Sequence, residues 1–285
     1  MPQVGGVLSS LKSGGFSFLA VTPWRGDVSF NRDPAPDEDI WVSRWIGGWQ
    51  LCAPNTGLGG LSDSVPAFHG AASQDIWQVA EQTDSSLKLL WQSPDGTFAI
   101  SRTWLLEAEQ GVRVDTTMVN RASKSVHVGV AEHLILGTDF LLPITSGLQG
   151  QLEFSQDAEI VELDYSGAPA KAPTNSQELR NESELLSIEK PATVFGLSKP
   201  SLKSISVSVG PWRAQIGWDG LDHALIWKEF GYSQEAPWNG QVFALGIEPT
   251  NIPHGLGASE TSGPFLESQS TLDWHTSLSF SKIGS

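Results

Sequence analysis

The sequence predicts an all-β protein whose many short strands close into a large antiparallel sandwich or barrel, and three observations predict it. The 285 residues include 29 Gly and 17 Pro, so turns are frequent and long helices are disfavoured. Hydrophobic residues make up 39% of the chain and Trp alone numbers 12, which requires a packed interior and excludes disorder as the main state. Apolar or alternating segments bounded by Gly, Pro, Asn or Asp recur along the chain.

In chain order, the first strand expected is Phe16 to Thr22. Leu89 to Trp91, the turn Ser93-Pro94-Asp95-Gly96 and a strand from Thr97 to Leu106 read as a hairpin, because Pro fixes φ and Gly supplies the positive φ of a tight turn. Glu109-Gln110-Gly111 separates it from a period-two strand, Val112 to Val119. Asn120 to Ser123 then turns the chain into an apolar strand, Val126 to Leu136, buried on much of both faces. Gly167 to Glu189 is polar and is expected as a surface excursion, with one helical turn near Glu178 to Leu186. Further strands are expected at Ser204 to Val209, Ala214 to Gly217, Ala224 to Trp227, Val242 to Ile247 and Leu272 to Phe280. No repeat and no break in composition divides the chain, so one β domain is expected over residues 1–285.

Lys and Arg number 17 against 32 Asp and Glu, a net charge of −15, and no basic run offsets that field locally. Phosphate-tracking nucleic-acid binding and attachment to anionic membranes are disfavoured, and a neutral small molecule becomes the expected partner. Cys52 is the sole cysteine and has no intrachain disulfide partner. No apolar run reaches the length of a membrane span, and Ser13-Gly14-Gly15 and Ser17 interrupt any secretory h-region, so a cytoplasmic location is expected. Nothing in the sequence fixes an oligomeric state.

The sequence lacks a P-loop, a GxGxxG turn, a GxSxG elbow and an HExxH pair, and its six His are spread at 69, 127, 133, 223, 254 and 275 without metal-ligand spacing. Three segments are unlike ordinary sandwich core. The first is Trp45-Ile46-Gly47-Gly48-Trp49-Gln50-Leu51-Cys52-Ala53-Pro54-Asn55-Thr56-Gly57, followed by Pro66-Ala67-Phe68-His69-Gly70. The second runs from Ala131-Glu132-His133 to Gly137-Thr138-Asp139-Phe140-Leu141. The third is Leu225-Ile226-Trp227-Lys228-Glu229-Phe230 leading to Gly246-Ile247-Glu248-Pro249.

These residues, in this order from about Trp45 to Gly257, resemble a divergent branch of the aldose 1-epimerase (galactose mutarotase) family. The resemblance implies a large antiparallel β-supersandwich and interconversion of the anomers of a free neutral sugar. It implies Glu248 as the catalytic carboxylate, His133 as the catalytic histidine and His69 as a second active-site histidine. Asp222 stands nearest to the family's sugar-binding Asp, and Arg44 is the nearest match for its arginine.

Anomer exchange removes a proton from the anomeric hydroxyl and delivers one to the ring oxygen, so a carboxylate base, Glu248, and an imidazolium acid, His133, form the minimal pair. No cofactor or metal is required. His69 and Asn55 are further substrate-binding candidates, and Trp49, Trp77 or Trp227 would stack on apolar sugar faces. His254 is a further pocket candidate, and Cys52 reads as a small packed side chain. Two alternatives stand beside the enzyme reading. One is a noncatalytic carbohydrate-binding protein with the same pocket; the other is a hexose-phosphate mutarotase, which needs a basic patch from Arg102, Arg44 or Lys228.

Overall fold

The computed structural model describes residues 1–25, 33–58, 67–107, 111–172, 175–181, 185–254 and 263–283. Pro66, Glu109, Gln110, Gly257 and residues 173–174 and 182–184 of the polar excursion lie outside that set.

In chain order the first strands are β1 (Lys12–Ser13), β2 (Phe16–Ser17), β3 (Trp49–Cys52), β4 (Gln78–Gln82), β5 (Ser86–Gln92), β6 (Phe98–Glu107) and β7 (Gly111–Asn120). They are followed by β8 (Val126–His127), β9 (Ala131–Gly137), β10 (Gln151–Glu153), β11 (Glu159–Glu162) and β12 (Ala192–Ser198). The last are β13 (Ser204–Val209), β14 (Trp212–Asp219), β15 (His223–Phe230), β16 (Phe243–Thr250), β17 (Phe265–Leu266) and β18 (Thr271–Lys282). The helices are short: α1 (Glu38–Arg44), α2 (Thr138–Thr145) and α3 (Ser176–Leu179).

The expected hairpin forms as β5 and β6, closed by a side-chain clasp in which Ser93 and Thr97 both bond Asp95 and Phe98 N donates to Ser93 Oγ. An eight-stranded sheet runs β10-β13-β14-β18-β7-β6-β5-β4 and a six-stranded sheet runs β11-β12-β15-β16-β9-β3. Every pairing in both is antiparallel. Period-two alternation sends Phe98, Ile100, Val114, Met118 and Leu278 from the larger sheet into one buried cluster with Leu134, Leu136, Phe195, Leu197 and Ile247 from the smaller. Each of these side chains contributes about 1.5–3 kcal/mol by leaving water.

One charged pair sits in that core. Arg102 of β6 donates through both terminal nitrogens to Glu132 of β9, each bond 2.8 Å, and the indole N–H groups of Trp49 and Trp274 fill the remaining carboxylate positions at 2.7 Å. The two charges are 1% and 0% exposed. Pairing and full hydrogen bonding make such burial tolerable.

The structure departs from the sequence expectations in several places. The single strand expected over Val126 to Leu136 is broken between β8 and β9, because Val128, Gly129 and Val130 donate to Pro264 O, Pro54 O and Asn251 Oδ1 instead of a ladder. Phe16 to Thr22 pairs only over β2 and through isolated bridges at Leu19 and Val21. The polar excursion is only partly superficial, since Leu185 and Leu186 are buried in the main core. No strand was expected over Trp49–Cys52, where β3 forms, and α1 was not expected either. Asp37 caps α1 by accepting from Ile40 N at 2.9 Å, Glu38 and Asp39 complement its N-terminus, and it buries Trp41 and Val42.

Candidate active site

The six-stranded sheet turns its second face away from the core, and that face is the floor of a cavity of about 160 Å³. Cys52 of β3, Ala131 and His133 of β9, Glu248 and Thr250 of β16, Leu225 and Trp227 of β15 and Val194 of β12 all point to it, as their shared parity requires. Trp41 and Trp45, Phe68 and His69, Tyr165, and Trp238 wall it from α1 and three loops.

Glu248 and His133 are neighbours across the floor. The β16–β9 ladder pairs Gly246 with Ile135 and Thr250 with Ala131, so the shared register sets Glu248 opposite His133. Side chains directly opposed in an antiparallel pair have Cβ atoms about 5 Å apart. The carboxylate needs the glycine two residues before it: a Cβ on Gly246 would lie 2.5 Å from Glu248 Oε1 and 3.1 Å from Ile135 Cδ1.

His69 reaches the same floor from the loop, its ring centroid 5.4 Å from that of His133. Gly57 fixes it twice, donating its N–H to His69 Nδ1 at 2.9 Å and accepting from His69 N at 2.6 Å. An Nδ1 that accepts leaves the proton on Nε2, so His69 offers a donor there. Gly70 carries the loop past Ala53 at φ 73°, where a Cβ would fall 2.0 Å from Ala53 O.

Burial dominates the electrostatics. With no charge partner among the described residues, the Glu248 carboxyl is pushed up to about 8. Burial pulls His133 down to about 3, and burial together with the neighbouring His133 holds His69 well below the usual imidazole range. With Glu248 at about 8 and His133 at about 3, the pair holds one proton at neutral pH, resting on the carboxyl. The resemblance implied the opposite resting arrangement, with an ionised carboxylate and a protonated imidazole.

Of the residues singled out from the sequence, Glu248, His133, His69, Trp227 and His254 line this cavity, and Trp49, Trp77, Asn55 and Asp222 do not. Trp49 points to the sandwich interior, bonded to Glu132, and Trp77 is buried with its N–H on Ala72 O. Asn55 acts behind the site, its amide donating to Gly57 O, Leu58 O and Ala67 O, which ties down the loop that carries His69. Asp222 is exposed and ion-paired with Lys203 at 3.1 Å. Alternation explains the tryptophan exchange: Trp49 and Trp227 lie on strands of one sheet but face opposite sides.

Sequence reasoning missed Trp41, Trp238, Tyr165, Glu38 and Glu235, which line the cavity from α1 and the loops. For α1 the signal was present as Asp37-Glu38-Asp39 before an apolar stretch. Glu229, 1% exposed, organises the loops by accepting from Tyr165 OH, from Ser233 Oγ at 2.8 Å and from the backbone N–H groups of Tyr232 and Ser233. Among the described residues no group of three or more His, Cys, Asp or Glu side chains is arranged to hold a metal ion, and no helix is long and apolar enough to cross a membrane.

Two antiparallel sheets with a cavity on the outer face of the smaller one define the galactose mutarotase-like fold, and solved structures of that class superpose on nearly the whole chain. The putative aldose 1-epimerase of Escherichia coli K12 is 12% identical at a TM-score of 0.69, with 99% of this chain and 94% of that one covered. A galactose mutarotase-like protein of Clostridium acetobutylicum is 15% identical with a TM-score of 0.67 (99% and 91% covered), and the aldose epimerase homologue of C. elegans is 12% identical with a TM-score of 0.67 (99% and 94% covered). No protein-family model and no curated protein matches the sequence.

Proposed function

We propose that the protein is an aldose 1-epimerase that interconverts the anomers of a free sugar by acid–base catalysis. The observation that carries this reading is the opposition of Glu248 and His133 across one strand pair at the floor of an aromatic-walled cavity. A binding site alone has no need of a matched acid and base.

From the resting state, neutral His133 takes the proton of the anomeric hydroxyl while the Glu248 carboxylic acid protonates the ring oxygen. The C1–O5 bond breaks and the open-chain aldehyde forms. Rotation about C1–C2 exposes the other carbonyl face. Ring closure then returns the O5 proton to Glu248 and the imidazolium proton to O1, so the cycle ends where it began with no outside proton. Moving the proton from Glu248 to His133 before reaction gives the reverse order of roles, the one implied by the resemblance. Both orders use the one-proton form of the pair and share one pH dependence. His69 Nε2–H positions a sugar oxygen, and the indoles of Trp45, Trp227 and Trp238 offer faces to sugar C–H groups.

Polarimetry of freshly dissolved aldoses tests the proposal. Acceleration should occur with at least one sugar and fall by about 10² to 10⁴ in Glu248→Gln with binding retained. Binding without acceleration by the unaltered protein would establish the noncatalytic reading instead. A hexose-phosphate substrate loses its support, because no Lys or Arg lines the cavity among the described residues.

A further inference from the structure

Among the described residues the cavity is lined by three Glu and three His and by no Lys or Arg. Glu38 and Glu235 stand exposed at its mouth, whereas Glu248 at its floor holds its proton up to about pH 8, so the mouth carries the negative charge. Among the described residues, the basic side chains singled out from the sequence are elsewhere. Arg102 is locked in the sandwich core, Lys228 faces the inner side of β15 with its ammonium on Leu185 O, and Arg44 donates to Asp33 O.

The walls act in the same direction. Trp45, Trp227 and Trp238 form a triangle with each centroid pair 6.1 Å apart, and indole faces carry the negative side of the ring quadrupole. Glu248 points independently to a ligand: it is 6% exposed, faces the cavity and has no hydrogen-bond or ion-pair partner among the described residues. The chain's net charge of −15 adds a long-range field that concentrates cations and repels phosphates and carboxylates.

Resting on the mutarotase reading above, we propose that this site selects its sugar by charge and takes an aldose bearing a protonated amino group in preference to neutral or anionic sugars. Aromatic faces bind such a sugar through its C–H surface and its ammonium alike, and the mouth carboxylates Glu38 and Glu235 supply the counter-charge that a neutral sugar leaves unused.

The test measures binding and turnover separately. Tryptophan fluorescence is titrated with glucosamine, N-acetylglucosamine, glucose and glucose 6-phosphate at mildly acidic pH, and anomer exchange of each is followed by NMR. At about 20 mM salt glucosamine should bind about tenfold more tightly than glucose or its N-acetyl derivative, and the advantage should shrink at about 300 mM salt as screening grows. Glu38→Gln with Glu235→Gln should bring the ratio of affinities toward one. Equal or weaker binding of glucosamine, or tightest binding of the phosphate, overturns the charge selection even if every sugar is turned over. Absence of exchange with all four sugars removes the mutarotase reading while the binding ratio still decides the selectivity, and absence of any binding overturns both.

Discussion

Replacing Glu248 by Gln should make the protein more stable as well as inactive, and the gain should depend on pH. The folded chain holds the Glu248 proton up to about pH 8, whereas an ordinary carboxyl loses it near 4.5. That gap corresponds to about 5 kcal/mol, at 1.36 kcal/mol per tenfold change in proton affinity. Below pH 4.5 folded and unfolded chains are both protonated and the buried carboxyl imposes no ionisation cost. Between pH 4.5 and about 8 only the unfolded chain ionises, so stability falls as pH rises, and above about 8 the whole cost is present. Gln keeps the shape and cannot ionise. Its advantage over Glu should be near zero at pH 4.5, about 3 kcal/mol at pH 7 and about 5 kcal/mol at pH 9. His133, lowered by burial to about 3, is neutral in both folded proteins from pH 4.5 to 9 and titrates alike in the two unfolded chains, so its contribution cancels in the difference. Urea unfolding of the two proteins at the three pH values, followed by tryptophan fluorescence, gives that difference directly. A constant gap, or a Gln variant less stable at pH 9, would show that the carboxylate has a compensating partner and that the desolvated floor is misread.

Gly246→Ala should displace the carboxylate by about 1 Å, from 2.5 Å to an ordinary contact, and lower kcat by about 10²; a kcat within twofold of wild type would show that the niche is not needed. Mutarotation should decline above pH about 8 as Glu248 ionises, and a profile flat to pH 10 would remove Glu248 from the reacting pair. Glu229→Gln should raise KM more than it lowers kcat, because Tyr165 and the loop bearing Trp238 lose their shared acceptor; steady-state rates with unchanged KM would refute that coupling. Asp222→Asn should change neither binding nor turnover, because its exposed side chain gives up a surface ion pair with Lys203.

The long meander from β5 to β7 was legible because those strands keep period two over many residues and are closed by Pro-Asp-Gly or polar turns. Glu248 and His133 were legible as candidates only through ordered short motifs, since nothing in local spacing says that residues 133 and 248 share a ladder. The tryptophans show where sequence stops. Trp49, Trp77 and Trp227 look alike as letters, and only the pairing of strands decides that the first two face the core and the third the cavity. The loop walls carry no periodicity at all, and so Trp238, Tyr165 and Glu235 were invisible.

Consecutive residues of β9 present Glu132 to Arg102 in the core and His133 to the cavity. A slip of that strand by one position would turn both to the opposite faces, leaving an arginine without its counter-ion inside the sandwich and another side chain where the imidazole belongs. Such a misaligned sheet carries an uncompensated buried charge, a penalty of about 3–5 kcal/mol that a purely apolar strand would not impose. The ion pair thus serves as a key to alignment: β9 seats fully in one register alone, and that register is the one that delivers the imidazole to its carboxylate.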